Sequence, residues 1–235
     1  MPHKPIAIVA AMRTELAPLL RGRRAQQAEG FELFELESAV VVLSGIGRTL
    51  AARAAEFVTA NYGPDVLVSA GLAGALSQNL KAGDVEYAQE IIDAESGTRY
   101  TTAGAGWSVV TATRVCGLND KQDLWRTFGA DVVDMEGAAV AQVAQKHGIR
   151  FVAIKAVSDE ADFPMPPLTE FVGVDGKVSK ARLLAYLAVR PGLWPAVIRL
   201  GRNSRVASEH LSRALEHLIV ARDQGLGAWD QRSGT

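Results

Sequence analysis

Cysteine is almost missing from this chain: Cys116 is the one thiol in 235 residues. That excludes an intrachain disulfide framework and a thiolate metal cluster alike. Positive charge is not in surplus either, since 25 Lys and Arg face 26 Asp and Glu for a formal net charge of -1. Nucleic acid is therefore not expected as a partner, because phosphate binding needs a basic excess. No run approaches the roughly 20 uninterrupted apolar residues that span a bilayer. The apolar stretch in MPHKPIAIVAAMRTE is too short for a signal peptide, and charged residues follow at once. His3, His147, His210 and His217 are scattered, so no metal site is expected. What remains is a chain with 48% hydrophobic residues, enough for one sizeable α/β domain with a full core. A cytoplasmic location is expected.

Apolar runs and turn signals alternate along the chain. Ile6 to Ala11, Phe31 to Leu36, Ala39 to Leu43, Val66 to Ala70, Val85 to Ile92 and Trp107 to Thr111 read as strands. Helices are expected over Arg13 to Leu20, Arg48 to Asn61 and Asp120 to Phe128. The Tyr62-Gly63-Pro64 cluster stops the second of these. The stretch from Ala130 to Asp162, ADVVDMEGAAVAQVAQKHGIRFVAIKAVSDEAD, reads as strand, helix, strand. A proline-rich loop follows at Phe163 to Pro167. From Ser179 to the end the chain is helical and basic, broken at Arg190-Pro191-Gly192. Strands alternating with helices favour a mixed, mainly parallel sheet covered on both faces. One domain is expected over 1–235, with 179–235 as a basic helical C-terminal extension.

Three acids fall just beyond apolar strands. Glu15 follows the first strand, Glu136 follows Val132-Val133, and Asp159 follows Phe151 to Val157. Each has a bland explanation, as a first-turn acid or a turn cap. Together they mark the carboxyl ends of the strands, where open α/β sheets bind ligands. An ionised Glu136 would accept two hydrogen bonds from vicinal hydroxyls such as those of a ribose. Asp159, beside Ser158, could protonate a poor leaving group if burial holds its proton near neutral pH.

Two glycine-rich turns accompany the acids. Ser44-Gly45-Ile46-Gly47-Arg48 lies between a strand and a helix and could expose N–H groups to an anion, with Gly45, Gly47 and Arg48 as its parts. It departs from a dinucleotide fingerprint, since Leu50 stands where a third glycine is wanted. Ala70-Gly71-Leu72-Ala73-Gly74 ends a strand and could let a ligand approach the backbone.

Taken together, IAIVAAMRTEL, SGIGRTLAA, PDVLVSAGLAGAL, LKAGDV, VVDMEGAAVAQVA and FVAIKAVSDEAD resemble the purine and uridine phosphorylase superfamily. Within it they are most similar to the methylthioadenosine/S-adenosylhomocysteine nucleosidase branch. The resemblance implies a three-layer α/β/α sandwich around a twisted mixed β-sheet. It implies cleavage of the N-glycosidic bond of an adenine nucleoside, with hydrolysis favoured over phosphorolysis. Glu15 then matches the acid that orients the attacking water, and Asp159 the acid that protonates the purine, supported by Ser158. Met135 and Glu136 match the ribose contacts, and Gly71 and Leu72 the turn beside the sugar. Val115 and Cys116 fall where the base is lined, although an aromatic expected near Val115 is absent. Leu72 replaces the usual small hydroxyl residue, and Ser69 stands where purine phosphorylases carry a phosphate-binding arginine.

The tail VRPGLWPAVIRLGRNSRVASEHLSRAL resembles the hopanoid-associated branch, which implies a bulky apolar 5′ substituent. No cofactor is implied, beyond phosphate as co-substrate if the enzyme is a phosphorylase. A homodimer is implied by resemblance. The same basic amphipathic tail either packs on the sheet with a solvated face or touches an anionic, inner-membrane surface. A non-catalytic nucleoside-binding protein and an NAD-dependent oxidoreductase are the rival classes.

Overall fold

The structure, a computed structural model, describes residues 4–166, 168–171, 173, 176 and 179–224. His3, Pro167 and the end of the basic tail beyond 224 lie outside the described residues. Eleven strands form one sheet: β1 (Ile6–Ala10), β2 (Gln26–Ala28), β3 (Phe31–Glu35), β4 (Ala39–Leu43), β5 (Val66–Ala75), β6 (Val85–Tyr87), β7 (Glu90–Asp93), β8 (Arg99–Thr101), β9 (Ser108–Thr111), β10 (Val132–Asp134) and β11 (Arg150–Asp159). The helices are α1 (Arg48–Tyr62), α2 (Leu118–Phe128), α3 (Gly137–His147), α4 (Lys180–Ala188) and α5 (Trp194–Asp223). The sheet runs β2-β3-β4-β1-β5-β10-β9-β7-β8, with β11 paired to β5 and β6. β1 is parallel to β4 and β5, and β11 is parallel to β5.

Strands β1 and β4 are buried at every residue, as expected of interior parallel strands covered on both faces. One layer packs α1 and α3 on the sheet through Ala51, Ala54, Ala55, Val58 and the small residues Ala138 to Ala144. The opposite layer is α5, whose Ala207, Leu211, Leu215 and Leu218 repeat at helical spacing and join Ile8, Leu16, Val68 and Ile154. The result is a single-domain α/β/α sandwich. The second half of α5 is thus a structural layer of that sandwich, tied down by the Ser208 hydroxyl donating to the Thr14 carbonyl at 3.0 Å.

Three local differences from sequence expectation position the site. The segment after β1 forms a 3-10 turn, Arg13–Leu16, and then open turns, because Pro18 lacks the N–H that would continue a helix. The stretch Val85 to Ile92 is two strands, since the chain changes partners where Ala88 N–H meets Ala153 O and Gln89 N–H meets Trp107 O. Gly71-Leu72-Ala73-Gly74 is strand, not turn. β5 runs on to Ala75 because β11 pairs with Gly71 to Gly74 on one side and β10 with Gly74 and Ala75 on the other. Two partner strands outweigh glycine's poor strand preference.

Candidate functional site

Strand ends build one cavity of about 230 Å³, lined by Glu15, Leu72, Ala73, Gly74, Val115, Cys116, Met135, Glu136, Ser158 and Asp159 among others. Glu15 enters from the turn after β1, Glu136 from the junction of β10 and α3, and Asp159 from the last residue of β11. The three acids, far apart in sequence, therefore face a common hollow. Ala11, Met12, Ile46, Met165, Leu200 and Ser204 add an apolar-rich wall from the first strand's end, the 44–47 turn, the proline-rich loop and α5.

Glu15 is pinned at both oxygens. Met12 N–H donates to Oε2 at 2.8 Å, and Leu72 N–H donates to Oε1 at 3.2 Å. Burial raises its pKa above the ordinary carboxylate value, against the pull of these N–H groups and of Lys155. A Cβ at Gly71 would stand 3.3 Å from Glu15 Oε1, so the bare backbone there makes room for the acid. Gly71 itself sits behind Glu15 and is buried.

Glu136 is the residue before α3 and receives Gly47 N–H at 2.7 Å on Oε1. Part of its surface opens to the cavity, yet the surrounding protein strips its water. Burial, then the charges of Asp134 and Glu15, push its carboxyl up to about 8. The sequence suggested an ionised acceptor. The free site instead holds a carboxyl that keeps its proton at neutral pH and can both donate and accept.

Asp159 and Ser158 owe their arrangement to a bulge. The β5–β11 register shifts between Val157 and Asp159, so these neighbours escape strict strand alternation. The Ser158 hydroxyl donates to Asp159 Oδ1 at 2.6 Å. Asp159 Oδ2 accepts from Lys121 Nζ at 2.5 Å, with both side chains buried. The closest charge to Asp159 is thus a cation from α2.

A second buried pair lies beneath Glu136. Lys155 Nζ stands 2.7 Å from Asp134 Oδ2 and donates to the Ser69 hydroxyl at 3.0 Å. The Thr111 hydroxyl and Gly137 N–H complete the partners of Asp134 at 2.6 and 2.8 Å. Lys155, Asp134 and Lys121 were all missed from sequence. Lys155 had a signal: a lysine within the apolar run FVAIKAV has to be paired if it is buried. Lys121 had none, since Asp120, Gln122 and Asp123 around it read as a solvated helix face.

The expected anion site at Gly45, Gly47 and Arg48 is corrected by the hydrogen bonds of the turn. Gly45 N–H donates to Ala11 O at 3.0 Å, Ile46 N–H to Gly176 O at 2.9 Å, and Gly47 N–H to Glu136. The acceptor that this turn receives is the protein's own Glu136 carboxyl. Gly47 can present its N–H there because it adopts φ 110°, open to glycine without strain. Arg48 turns to Asp93, at 2.7 and 2.5 Å, and to Glu95 at 2.9 Å. The guanidinium holds Asp93 down at about 2.

Val115 and Cys116 both line the cavity. Cys116 is buried, its thiol pushed up to about 11 by desolvation, which makes it an inert wall and not a nucleophile. Among the described residues no group of three or more His, Cys, Asp or Glu could hold a metal ion.

Buried acids at the strand ends of a mixed sheet, closing around one small cavity, define a small-molecule site of the α/β/α class. The phosphorylase superfamily matches the chain over residues 5–116 and 98–188, and the chain belongs to that superfamily. The 5′-methylthioadenosine/S-adenosylhomocysteine nucleosidase of Anoxybacillus flavithermus is 29% identical over 199 residues, covering 66% of this chain and 85% of the relative. That of Actinobacillus succinogenes is 29% identical over 225 residues, covering 78% and 98%. Among solved structures, the Neisseria meningitidis nucleosidase in complex with methylthio-immucillin-A aligns with TM-score 0.70 at 22% identity over 93% of this chain and 99% of its own. Futalosine hydrolase of Helicobacter pylori aligns with TM-score 0.66 at 20% identity over 92% and 98%. At those identities the solved structures speak for the fold alone.

Proposed function

We propose that this protein hydrolyses the N-glycosidic bond of an adenine nucleoside, releasing adenine. The observation that carries this is the convergence of Glu15, Glu136 and Asp159 on one cavity, in a chain whose relatives are nucleosidases by name. The chemical difficulty is a poor leaving group and a sugar that becomes cation-like. Asp159, oriented by Ser158, gives a proton to the base as the bond stretches, which contributes about 10²–10⁴-fold. Glu136 binds the ribose hydroxyls, its protonated carboxyl donating to one and accepting from the other. Glu15, held by two backbone N–H groups, orients the attacking water and takes its proton. Its raised proton affinity makes it a stronger base than an exposed carboxylate.

Water is favoured over phosphate because the cations near the cavity already have acidic partners. Arg114 meets Asp120 at 2.6 Å, and Lys121, Lys155 and Arg48 meet Asp159, Asp134 and Asp93. A bulky apolar 5′ substituent fits the wall made by Ile46, Met165 and Leu200, in line with the resemblance to the hopanoid-associated branch. A nucleoside carrying such a chain would be reached from a membrane. Leu184, Val189, Trp194 and Ile198 are exposed along the α4–α5 bend, beside the exposed Arg182, Arg190, Arg199 and Arg202. No single helix among the described residues is long and apolar enough to cross a membrane; the contact proposed is a peripheral one, through the basic amphipathic face. A homodimer completes the proposal, by resemblance.

The test is a panel of 5′-substituted adenosines, long alkyl chains included, assayed for adenine with and without phosphate. Phosphate-independent release, with kcat/KM rising as the 5′ chain lengthens, is expected. Absolute dependence on phosphate would overturn hydrolysis, and no base released from any member would overturn glycosidic cleavage.

A further inference from the structure

We propose that Lys121 is the source of the proton that Asp159 hands to the leaving base, and that a second hollow behind it resupplies that proton. This rests on glycosidic cleavage with Asp159 as the acid, and goes beyond it by placing the proton on a lysine.

Helix α2 buries one residue, and it is this cation; its apolar Leu118 is left 39% exposed. Leu124 and Phe128 pack α2 on the core, and the ammonium is its most deeply buried group. Nζ donates to Asp159 Oδ2 at 2.5 Å and to the Glu160 carbonyl at 2.7 Å. Gly74 of β5 leaves space for the pair: a Cβ there would stand 3.0 Å from Asp159 Oδ2 and 3.1 Å from Lys121 Cε. With an ammonium on one oxygen and the Ser158 hydroxyl on the other, the transferable proton of the Lys–Asp pair sits on nitrogen.

Behind α2 lies a separate hollow of about 310 Å³, walled by Ser77, Gln78, Asn79, Gln122 and Arg126. Among the described residues Lys121 is the one that lines both this hollow and the acidic cavity. Leu76, Trp125 and Ala161 make up the rest of its wall; water held by the polar groups gives Lys121 a route to solvent that does not cross the bound nucleoside.

The proton balance closes. As the glycosidic bond breaks, its electron pair leaves with the base. A proton crosses from Nζ to Asp159 and from the carboxyl to the base nitrogen. Asp159 is again a carboxylate, and Lys121 is left a neutral amine. The water that bonds to the sugar carbon gives its proton to Glu15. Lys121 regains a proton from water in the second hollow, and Glu15 returns its own to solvent after the sugar leaves. The net reaction is addition of one water across the bond.

Arginine separates this role from simple charge pairing, because a guanidinium donates hydrogen bonds but does not give up a proton near neutral pH. K121R and K121M are assayed beside the wild type on 5′-methylthioadenosine and on 4-nitrophenyl β-D-ribofuranoside, whose phenolate departs without protonation. Thermal melting checks that K121R is folded. The expected result is a loss of about 10²–10⁴-fold in kcat on the thioadenosine for both variants, KM within a few-fold, and less than a tenfold loss on the nitrophenyl riboside. Wild-type turnover of the thioadenosine by K121R would overturn the proposal, since charge would then suffice. Equal losses on both substrates would also overturn it, by assigning Lys121 a purely structural role. Should the wild type release no adenine from the thioadenosine, it is the parent function that fails.

Discussion

Replacing Glu136 by glutamine should change how stability depends on pH. The Glu136 carboxyl is displaced from 4.5 to about 8, mainly by burial and then by the charges of Asp134 and Glu15. Below pH 4.5 the folded and unfolded chains both hold this proton, and its contribution is fully present. Between 4.5 and 8 the unfolded chain releases the proton while the folded one retains it. Stability therefore falls by about 1.4 kcal/mol per pH unit across that window and levels off above 8. The whole displacement corresponds to about 5 kcal/mol, an upper figure because Asp134 and Glu15 titrate with it. E136Q keeps the shape and accepts the Gly47 N–H but carries no titrating proton. Urea unfolding of both proteins at pH 5, 6.5, 8 and 9 should show E136Q gaining on the wild type as pH rises, by several kcal/mol in all. Parallel curves for the two proteins would refute the reasoning. A further E15Q change should shift the wild-type curve to lower pH, because one of the repelling charges is gone.

Other consequences concern α4 and α5. Leu211 is fully buried between α5 and the sheet, so L211A should cost about 2–5 kcal/mol in urea unfolding; a cost under 1 kcal/mol would mean that α5 is not a structural layer. Vesicles with anionic lipid should float the protein, and charge reversal of Arg190, Arg199 and Arg202 together should release it. Flotation that is unaffected by that reversal, or none at all, would remove the membrane contact from the proposed function.

Much of the scaffold was legible in the sequence because its signals are local. Apolar runs such as IAIVA and AVVVL can only be buried strands, and Gly63 stops α1 where the Tyr62-Gly63-Pro64 cluster predicts. The acids Glu15, Glu136 and Asp159 were legible for a topological reason: strand ends collect on one edge of such a sheet. The length of β5 was not legible, because Gly71 and Gly74 read as a turn until β10 and β11 are known to flank them. The anion site expected at Gly45, Gly47 and Arg48 failed for a like reason. Its N–H groups and its guanidinium are taken by Ala11, Gly176, Glu136 and Asp93, residues from 34 to 130 positions away in the chain.

The sequence by itself determined the central strands such as β1, β4 and β11, a sheet covered on both faces, and three acids at its carboxyl-end edge, while β2 and β8 gave no such signal. Those properties follow from periodicity and composition, which act between neighbours. Only the tertiary structure decided the state of each acid: Glu136 loses its water and keeps a proton, Asp159 meets Lys121, and Asp134 meets Lys155. Proton affinity depends on desolvation and on charges within a few ångströms, and those charges arrive from elements far apart along the chain.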